Sequence, residues 1–285
     1  MDECSSRLTV MDETPPVVLT VAGFDPSSGA GVTADLKTIA AHGCYGVACI
    51  TALTVQSTKG VRRVAPVAGD LIQETMEELA ADFKIAAVHI GMLASREIVQ
   101  VVSDFLTRRQ LPNVVLDPVL RSSSGAELLD SAGTRLLAER LLPAAAVTTP
   151  NLDEASILAG MAVSNLEQMR AAAEKLHVMG AKAVVITGGH LDPAIDLLSC
   201  VGDGGVMQRE FSGPHKPSGS THGTGCAFAS ALACELATGR LVQEAAPLAK
   251  AYVAAAIANA YPLGEGIGPV NHLYRFGRAR RGLQL

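Results

Sequence analysis

Val17-Val18-Leu19-Thr20-Val21-Ala22, then Gly23-Phe24-Asp25-Pro26-Ser27-Ser28-Gly29-Ala30-Gly31, then a helical pattern over Val32–His42 and a second apolar run, Val47–Leu53: this stretch decides the fold. Six consecutive apolar or β-branched residues suit a strand buried on both faces. A turn-rich loop opens the helix, and Gly43 follows it where a left-handed cap is needed. Strand, helix and strand in that order form a βαβ unit and predict a parallel sheet.

The rhythm continues along the chain. Further strands are expected at Ala86–Ile90, Val114–Leu116, Ala146–Thr148 and Ala183–Thr187. Helices are expected at Gly69–Asp82, Ser95–Arg109, Ala132–Leu141, Asp153–Ala159 and Asn165–Met179. Ile195–Val201 and Val206–Phe211, joined through Gly202-Asp203-Gly204-Gly205, read as a β-hairpin. One helix then runs to about Ala237, and a second from about Leu241 to Ala260. No Pro/Ser/Gly linker divides the chain, so residues 17–285 are read as one α/β domain behind a flexible N-terminal extension over residues 1–16.

Bulk properties narrow the function classes. Of the 285 residues 48% are hydrophobic and 18% charged, enough apolar surface for a sizeable core. A net charge of -5 argues against nucleic acid as partner, and the only basic cluster is Arg275, Arg278, Arg280 and Arg281. Cys4, Cys44, Cys49, Cys200, Cys226 and Cys234 contain no C-x-x-C pair, so neither a zinc site nor a redox dithiol is expected. The first sixteen residues are polar, no window suits a membrane span, and a reduced cytoplasmic protein is the expectation.

In an open parallel sheet, ligands bind outside the carboxyl ends of the strands. The first strand leads into the loop from Gly23 to Gly31, which is neither a Walker A loop nor a dinucleotide fingerprint, and then into a helix carrying Asp35 and Lys37. The second is followed by Thr54-Val55-Gln56-Ser57-Thr58, where Gln56 offers both a donor and an acceptor. The third ends in His89-Ile90-Gly91-Met92, and the methionine suits an apolar slot or the core. Asp117-Pro118-Val119 and Pro150-Asn151-Leu152-Asp153-Glu154 follow the next two. Their carboxylates suit hydrated Mg²⁺ with phosphate oxygens, and equally suit helix capping by Asn151. Thr221-His222-Gly223-Thr224-Gly225-Cys226 opens the next-to-last long helix, where two glycines, free N–H groups and a positive dipole end suit an anion. A thiol there is expected to have a depressed pKa. An anion hole, a metal and a base on one sheet edge point to phosphoryl transfer.

These segments together resemble the hydroxymethylpyrimidine kinase / phosphomethylpyrimidine kinase family of the ribokinase-like superfamily. The resemblance rests on Ala22-Gly23-x-Asp25-Pro26-Ser27-x-Gly29-Ala30-Gly31, Ala34-Asp35-Leu36-Lys37-Thr38, Ile50–Gln56, Gly91-Met92-Leu93, Leu116–Val119, Thr149–Leu152, Gly188-Gly189-His190, His222–Cys226 and Gly266–His272. It implies a three-layer α/β/α sandwich, ATP and Mg²⁺ as cofactors, and a homodimer. It also implies phosphorylation of 4-amino-5-hydroxymethyl-2-methylpyrimidine to the monophosphate and then the diphosphate, for thiamine biosynthesis. By that resemblance Gln56 reads the aminopyrimidine edge, while Gly23, Asp35, Met92 and Val119 line its pocket. Asn151, Thr187 and Lys250 serve the nucleotide, and Glu154 and Asp117 serve Mg²⁺ directly or through water. Gly223, Thr224 and Gly225 form the anion hole, with Cys226 as base.

Three positions depart from the family pattern: Ser123, Thr187 and Gly219 stand where lysines are common. Fewer cations near phosphate make the second phosphorylation the weaker expectation, with Arg121 and Lys216 as candidates to compensate. A pyridoxal/pyridoxine kinase and a non-catalytic pyrimidine-binding sensor are the alternatives. Gln56 favours the aminopyrimidine, and an intact Gly223–Cys226 segment favours a catalyst.

Overall fold

Alternate residues of β1 (Val17–Phe24) serve different cores: Leu19 and Val21 pack on one side of the sheet, Val18 on the other. Period-two alternation with both faces apolar demands helices above and below. The computed structural model describes residues 14–277 except 123–124, 190, 192–193, 203 and 213–217. The described chain continues as α1 (Gly31–Ala41), β2 (Tyr45–Ser57), β3 (Gly60–Pro66), α2 (Gly69–Asp82), β4 (Ile85–Ile90), α3 (Arg96–Arg109), β5 (Val114–Leu116) and α4 (Ser131–Leu136). A π-helical turn, Leu137–Leu141, leads into α5 (Leu142–Ala144). Then follow β6 (Val147–Thr148), α6 (Leu152–Ala159), α7 (Leu166–Val178), β7 (Ala183–Ile186), β8 (Ile195–Gly202), β9 (Gly205–Ser212), α8 (Thr224–Ala237), α9 (Val242–Ala258) and α10 (Tyr274–Gly277).

The nine strands form one sheet in the order β3-β2-β1-β4-β5-β6-β7-β8-β9. The centre from β2 to β7 is parallel, and both ends are antiparallel: β3 on β2, and β8 and β9 beyond β7. One core holds Ile72 and Met76 of α2, Phe105 of α3, Leu158 of α6 and Leu176 of α7. The opposite core holds Ile39 of α1, Phe228 and Leu232 of α8, and Tyr252 of α9. The three-layer sandwich is therefore confirmed, as is the β8–β9 hairpin.

One element was not expected. β2 runs on to Ser57 and turns into β3, so Thr54-Val55-Gln56-Ser57 lies inside a two-stranded ribbon and not after a strand end. The ribbon leaves the layered part of the sheet, and Arg62 and Arg63 of β3 are exposed. Without a buried face, β3 lacks the continuous apolar run of the central strands. Thr187 is an isolated bridge partner of Asn151 and is not part of β7.

Phe105 is 1% exposed at the centre of the larger core. Phe105→Ala is expected to cost about 3–5 kcal/mol in a denaturant melt, through lost burial plus a residual cavity.

Candidate active site

The chain leaves β1 for β2 by way of α1 on one face, and reaches β4 by way of α2 on the other. Such a reversal opens a crevice at the carboxyl edge of the sheet. The loop after β1 is tied down by Asp25, which is 3% exposed. Its Oδ1 accepts from the Ser27 amide at 2.8 Å and the Ser27 hydroxyl at 2.7 Å. Its Oδ2 accepts from the Ala30 amide at 3.0 Å and His222 Nε2 at 2.8 Å. Lys37 of α1 donates to Ser28 O at 2.7 Å from the other side.

That contact brings the N-terminus of α8 against the loop. Gly223 caps α8 with φ 84, a conformation that favours glycine, and a Cβ there would collide with the Gly29 carbonyl oxygen. A Cβ at Gly29 would in turn overlap the His222 ring. In the first turn of α8 the Thr224 amide turns back to Thr221 O at 3.4 Å, and the Ala227 amide donates to Gly223 O at 2.9 Å. Cys226, in the first turn, is partly exposed. Its pKa corrects the expectation: burial and the carboxylates of Asp35 and Asp117 push the thiol well above its ordinary value, against a backbone hydrogen bond from Gly31.

Met92, 9% exposed, clusters with Ala52 and Leu128, and Val64, Ala94 and Val119 pack against them. Gly23 lies under Met92, where a Cβ would sit 3.0 Å from its sulfur. The Gln56 amide lies between Thr54 Oγ1 at 3.1 Å and His222 Nε2 at 3.3 Å. Gly23, Met92 and Val119 are thus brought to one apolar wall, while Gln56 lies beside His222.

Asp35 is not part of that lining. It is fully buried, and its carboxylate accepts from Thr20 Oγ1 at 2.7 Å and Ser230 Oγ at 2.9 Å. His89 Nδ1 lies 3.3 Å away. The cause is packing, since α1 presses this position between β1 and α8. Burial works against charge on the His89 imidazole, but Asp35 and Asp117 outweigh it and raise its pKa.

Asn151 and Glu154 form a capping box for α6. Asn151 Oδ1 accepts the Glu154 amide at 2.9 Å, and Glu154 Oε2 accepts the Asn151 amide at 3.0 Å. Of the two sequence readings for this pair, capping is present. Yet burial and Asp117 push the Glu154 carboxyl up to about 8. Burial likewise pushes Asp117 up to about 6, with Asp35 adding to the rise and His89 opposing it. Asp117 also faces α8, since a Cβ on Gly225 would lie 3.7 Å from its Oδ2. Among the described residues no three His, Cys, Asp or Glu side chains form a metal-binding group. Two crowded carboxyls without a third ligand fit Mg²⁺ held partly by phosphate oxygens.

Thr187 adjoins Asn151, and its amide donates to Pro150 O at 3.0 Å. Lys250 of α9 does not stand free: its Nζ lies 2.8 Å from Oδ1 of buried Asp196, which also accepts the Gly188 amide at 2.9 Å. Arg121 is exposed in the loop after β5, and Gly219 lies in the segment before α8. Ser123, Lys216, His190 and most of the expected N-terminal extension lie outside the described residues.

Sequence reasoning assigned no role to His222, His89, Ser230 or Asp196. His222 stood inside the glycine motif, where the histidine itself was the available signal. The other three carry no local signature.

Comparison with known proteins bears on this geometry. Residues 25–271 match the family model described as phosphomethylpyrimidine kinase. The hydroxymethylpyrimidine/phosphomethylpyrimidine kinase of Haemophilus influenzae is 41% identical over 262 residues, covering 90% of this chain and 96% of that protein. A thiamine biosynthesis bifunctional protein of Geobacter sulfurreducens is 44% identical over 256 residues, 90% of this chain; the matched part spans 52% of that longer protein. The structure is similar to that of a Bacillus subtilis pyridoxal kinase solved as an ADP complex, with TM-score 0.83 and 34% identity. That match covers 91% of this chain and 98% of the other.

Gly223→Ala must strain a left-handed residue and displace the Gly29 carbonyl. A loss of at least about 2 kcal/mol in a urea melt is expected, with turnover abolished where the variant stays folded. Glu154 gives a pH dependence of definite sign. Its folded pKa of about 8 lies above the ordinary 4.5. The protonated carboxyl therefore contributes stability that is full below the ordinary value and lost as pH rises through the folded one. Urea melts of the ligand-free protein near pH 5 and pH 8 should show that fall, and Glu154→Gln should flatten it.

Proposed function

The chain belongs to the phosphomethylpyrimidine kinase family, and on that premise we propose that it transfers the γ-phosphoryl group of ATP to 4-amino-5-hydroxymethyl-2-methylpyrimidine, and then to the resulting monophosphate, in thiamine biosynthesis. One observation carries the reading. His222, just before α8, contacts both Gln56 and Asp25, and a Cβ on Gly225 in the first turn of α8 would lie 3.7 Å from Asp117, whose charge acts in turn on Glu154.

In this reading the acceptor ring lies on Met92 and Val119, close over Gly23, with its amino edge on Gln56. Its hydroxymethyl group then points at Cys226. The transferring group passes over the amides of Gly223, Thr224, Gly225 and Cys226, which meet developing charge with fixed donors and a helix dipole. ATP is the donor, in keeping with the ADP bound by the related pyridoxal kinase. Asn151 and Thr187 hold the nucleotide, and Lys250 lies beside it. Asp117 and Glu154 hold Mg²⁺, which when bound offsets charge on the phosphate oxygens.

Cys226 is proposed as the group that takes the hydroxyl proton. Only the thiolate can take it, so the sulfur's own proton must first pass to solvent; burial and Asp35 oppose that loss, so the step is modest help to a loose transition state and not its driving force. Cys226→Ala is expected to lower kcat by roughly 10²-fold. Near-normal turnover would reduce the residue to packing.

The pyridoxal kinase alternative draws on the likeness to the Bacillus subtilis enzyme; Gln56 is the feature that favours the aminopyrimidine. Incubating the protein with ATP, Mg²⁺ and each acceptor in turn, while following ADP release and product mass, tests the proposal. The expected products are the pyrimidine monophosphate and, more slowly, the diphosphate. Preferred phosphorylation of pyridoxal would replace the reading, and no ADP with any acceptor would favour a sensor. A cytoplasmic location and a homodimer are part of the proposal. Leu53 and Val55, about half exposed on the outer side of β2, are the apolar surface such a dimer would cover. No helix among the described residues is long and apolar enough to cross a membrane.

A further inference from the structure

Between α9 and α10 a strap, residues 264–270, touches two parts of the chain that are remote from it in sequence. At its tip the Ile267 amide donates to Thr58 O at 2.9 Å, and the Gly266 amide to Thr58 Oγ1 at 3.2 Å. Thr58 and Lys59 form the turn of the β2–β3 ribbon, where Ser57 pairs with Gly60. Lys59 Nζ and Glu265 make an exposed ion pair at the same place. Farther along, the strap pairs with the chain just before α8. Gly268 N donates to Gly219 O at 3.1 Å, His222 N to Gly268 O at 3.0 Å, and Val270 N to His222 O at 3.2 Å. They flank a parallel bridge between His222 and Pro269. The base of the strap is fixed. Val270 is buried in the core that holds α8 and α9, and Asn271 donates to Ala256 O and Asn259 O at 3.1 Å each.

Glycine is needed at these contacts. A Cβ on Gly266 would strike the Thr58 carbonyl, one on Gly264 the Thr58 hydroxyl, and one on Gly268 would lie 2.7 Å from Ser220 Oγ. Such close backbone approaches mark a fitted contact. The tip nevertheless stays near solvent, with Ile267 40% exposed, so its bonds can open while the core stays closed. Thr58, Val61, Ser122, His222 and Ile267 line one small cavity. The ribbon turn, the strap and the residue before the α8 cap thus border the same space.

We propose that Thr58 is a positioning residue for phosphoryl transfer: bonded to the strap, it latches the β2–β3 ribbon to the chain that starts α8. The proposal rests on the kinase reading of the α8 start as the phosphate site. A latched ribbon bars water from that side of the site, so the phosphoryl group goes to the bound acceptor. With the latch open, water competes. Its oxygen bonds to the γ-phosphorus, the bond to ADP breaks and the water's proton passes to solvent, leaving ADP and inorganic phosphate. Exclusion of water by a closing segment is a general means of favouring transfer over hydrolysis.

The test measures, in one reaction, the phosphorylated pyrimidine and the inorganic phosphate made from ATP. Thr58→Val keeps the side chain's shape and removes the acceptor for the Gly266 amide, while Gly266→Ala forces the Thr58 carbonyl away. Thr58→Val is expected to raise the ratio of inorganic phosphate to phosphorylated pyrimidine roughly 3- to 10-fold, the worth of one net hydrogen bond, and Gly266→Ala at least about tenfold. KM for ATP should stay within about twofold, since Asn151 and Thr187 are untouched. A lower kcat with an unchanged ratio in both variants means ordinary destabilisation and overturns the proposal. Hydrogen exchange on the unmodified protein gives a second reading that needs no variant. The Gly266 and Ile267 amides should slow at least about fivefold when a non-hydrolysable ATP analogue and the pyrimidine are bound together. Unchanged exchange at both sinks the latch. The unmodified protein is assayed first: no transfer to any acceptor removes the kinase reading and the latch with it, whereas normal transfer with unchanged ratios in both variants removes the latch alone.

Discussion

The hydrogen bond from His222 Nε2 to Asp25 Oδ2 joins residues 197 positions apart, and the site depends on it. Asp25 organises the loop after β1, and His222 precedes the cap of α8. Bonding them sets the start of α8 against that loop. A buried hydrogen bond to a charged acceptor is worth about 1.5–3 kcal/mol, enough to hold such a register. Gly29 and Gly223 permit it, because each lies where a Cβ would strike the other segment.

Charge is distributed with the same economy. Between α1, β1 and α8 Asp35 is matched by His89 and two hydroxyls, and in β8 Asp196 is matched by Lys250. These buried charges have partners. Asp117 adds to the cost of charging Glu154, and among the described residues neither has an ion-pair partner as Asp35 and Asp196 do. The uncompensated acidity therefore lies beside Gly225 at the start of α8, where a cation arriving with phosphate would relieve it. Asp35 and Asp117 also suppress the ionisation of Cys226, against the pull of its helix.

Much of this was legible in the residues, for identifiable reasons. The run Val17–Ala22 reports a strand buried on both faces, and Gly223-Thr224-Gly225 before an alanine-rich stretch reports an open helix start. Both signals are local. β3 gives no strand signal because none of its residues is fully buried and Arg62 and Arg63 interrupt its hydrophobic pattern. The family resemblance puts Asp35 in the pocket lining, but the packing of α1 against α8 turns that position inward. The thiol was judged from its helix alone, whereas the carboxylates that raise its pKa come from β5 and α1.

The sequence by itself determined the alternation of strands and helices, the parallel sheet, the glycine turns and the family, because each is carried by residues close together in the chain. The tertiary structure alone decided which polar groups meet. Asp25 with His222, Asp35 with His89 and Ser230, and Asp196 with Lys250 are pairings across long separations that no spacing rule reports. Hydrogen bonds and charge interactions act over a few ångströms of space whatever the distance along the chain, so only the packed fold could show which groups they join.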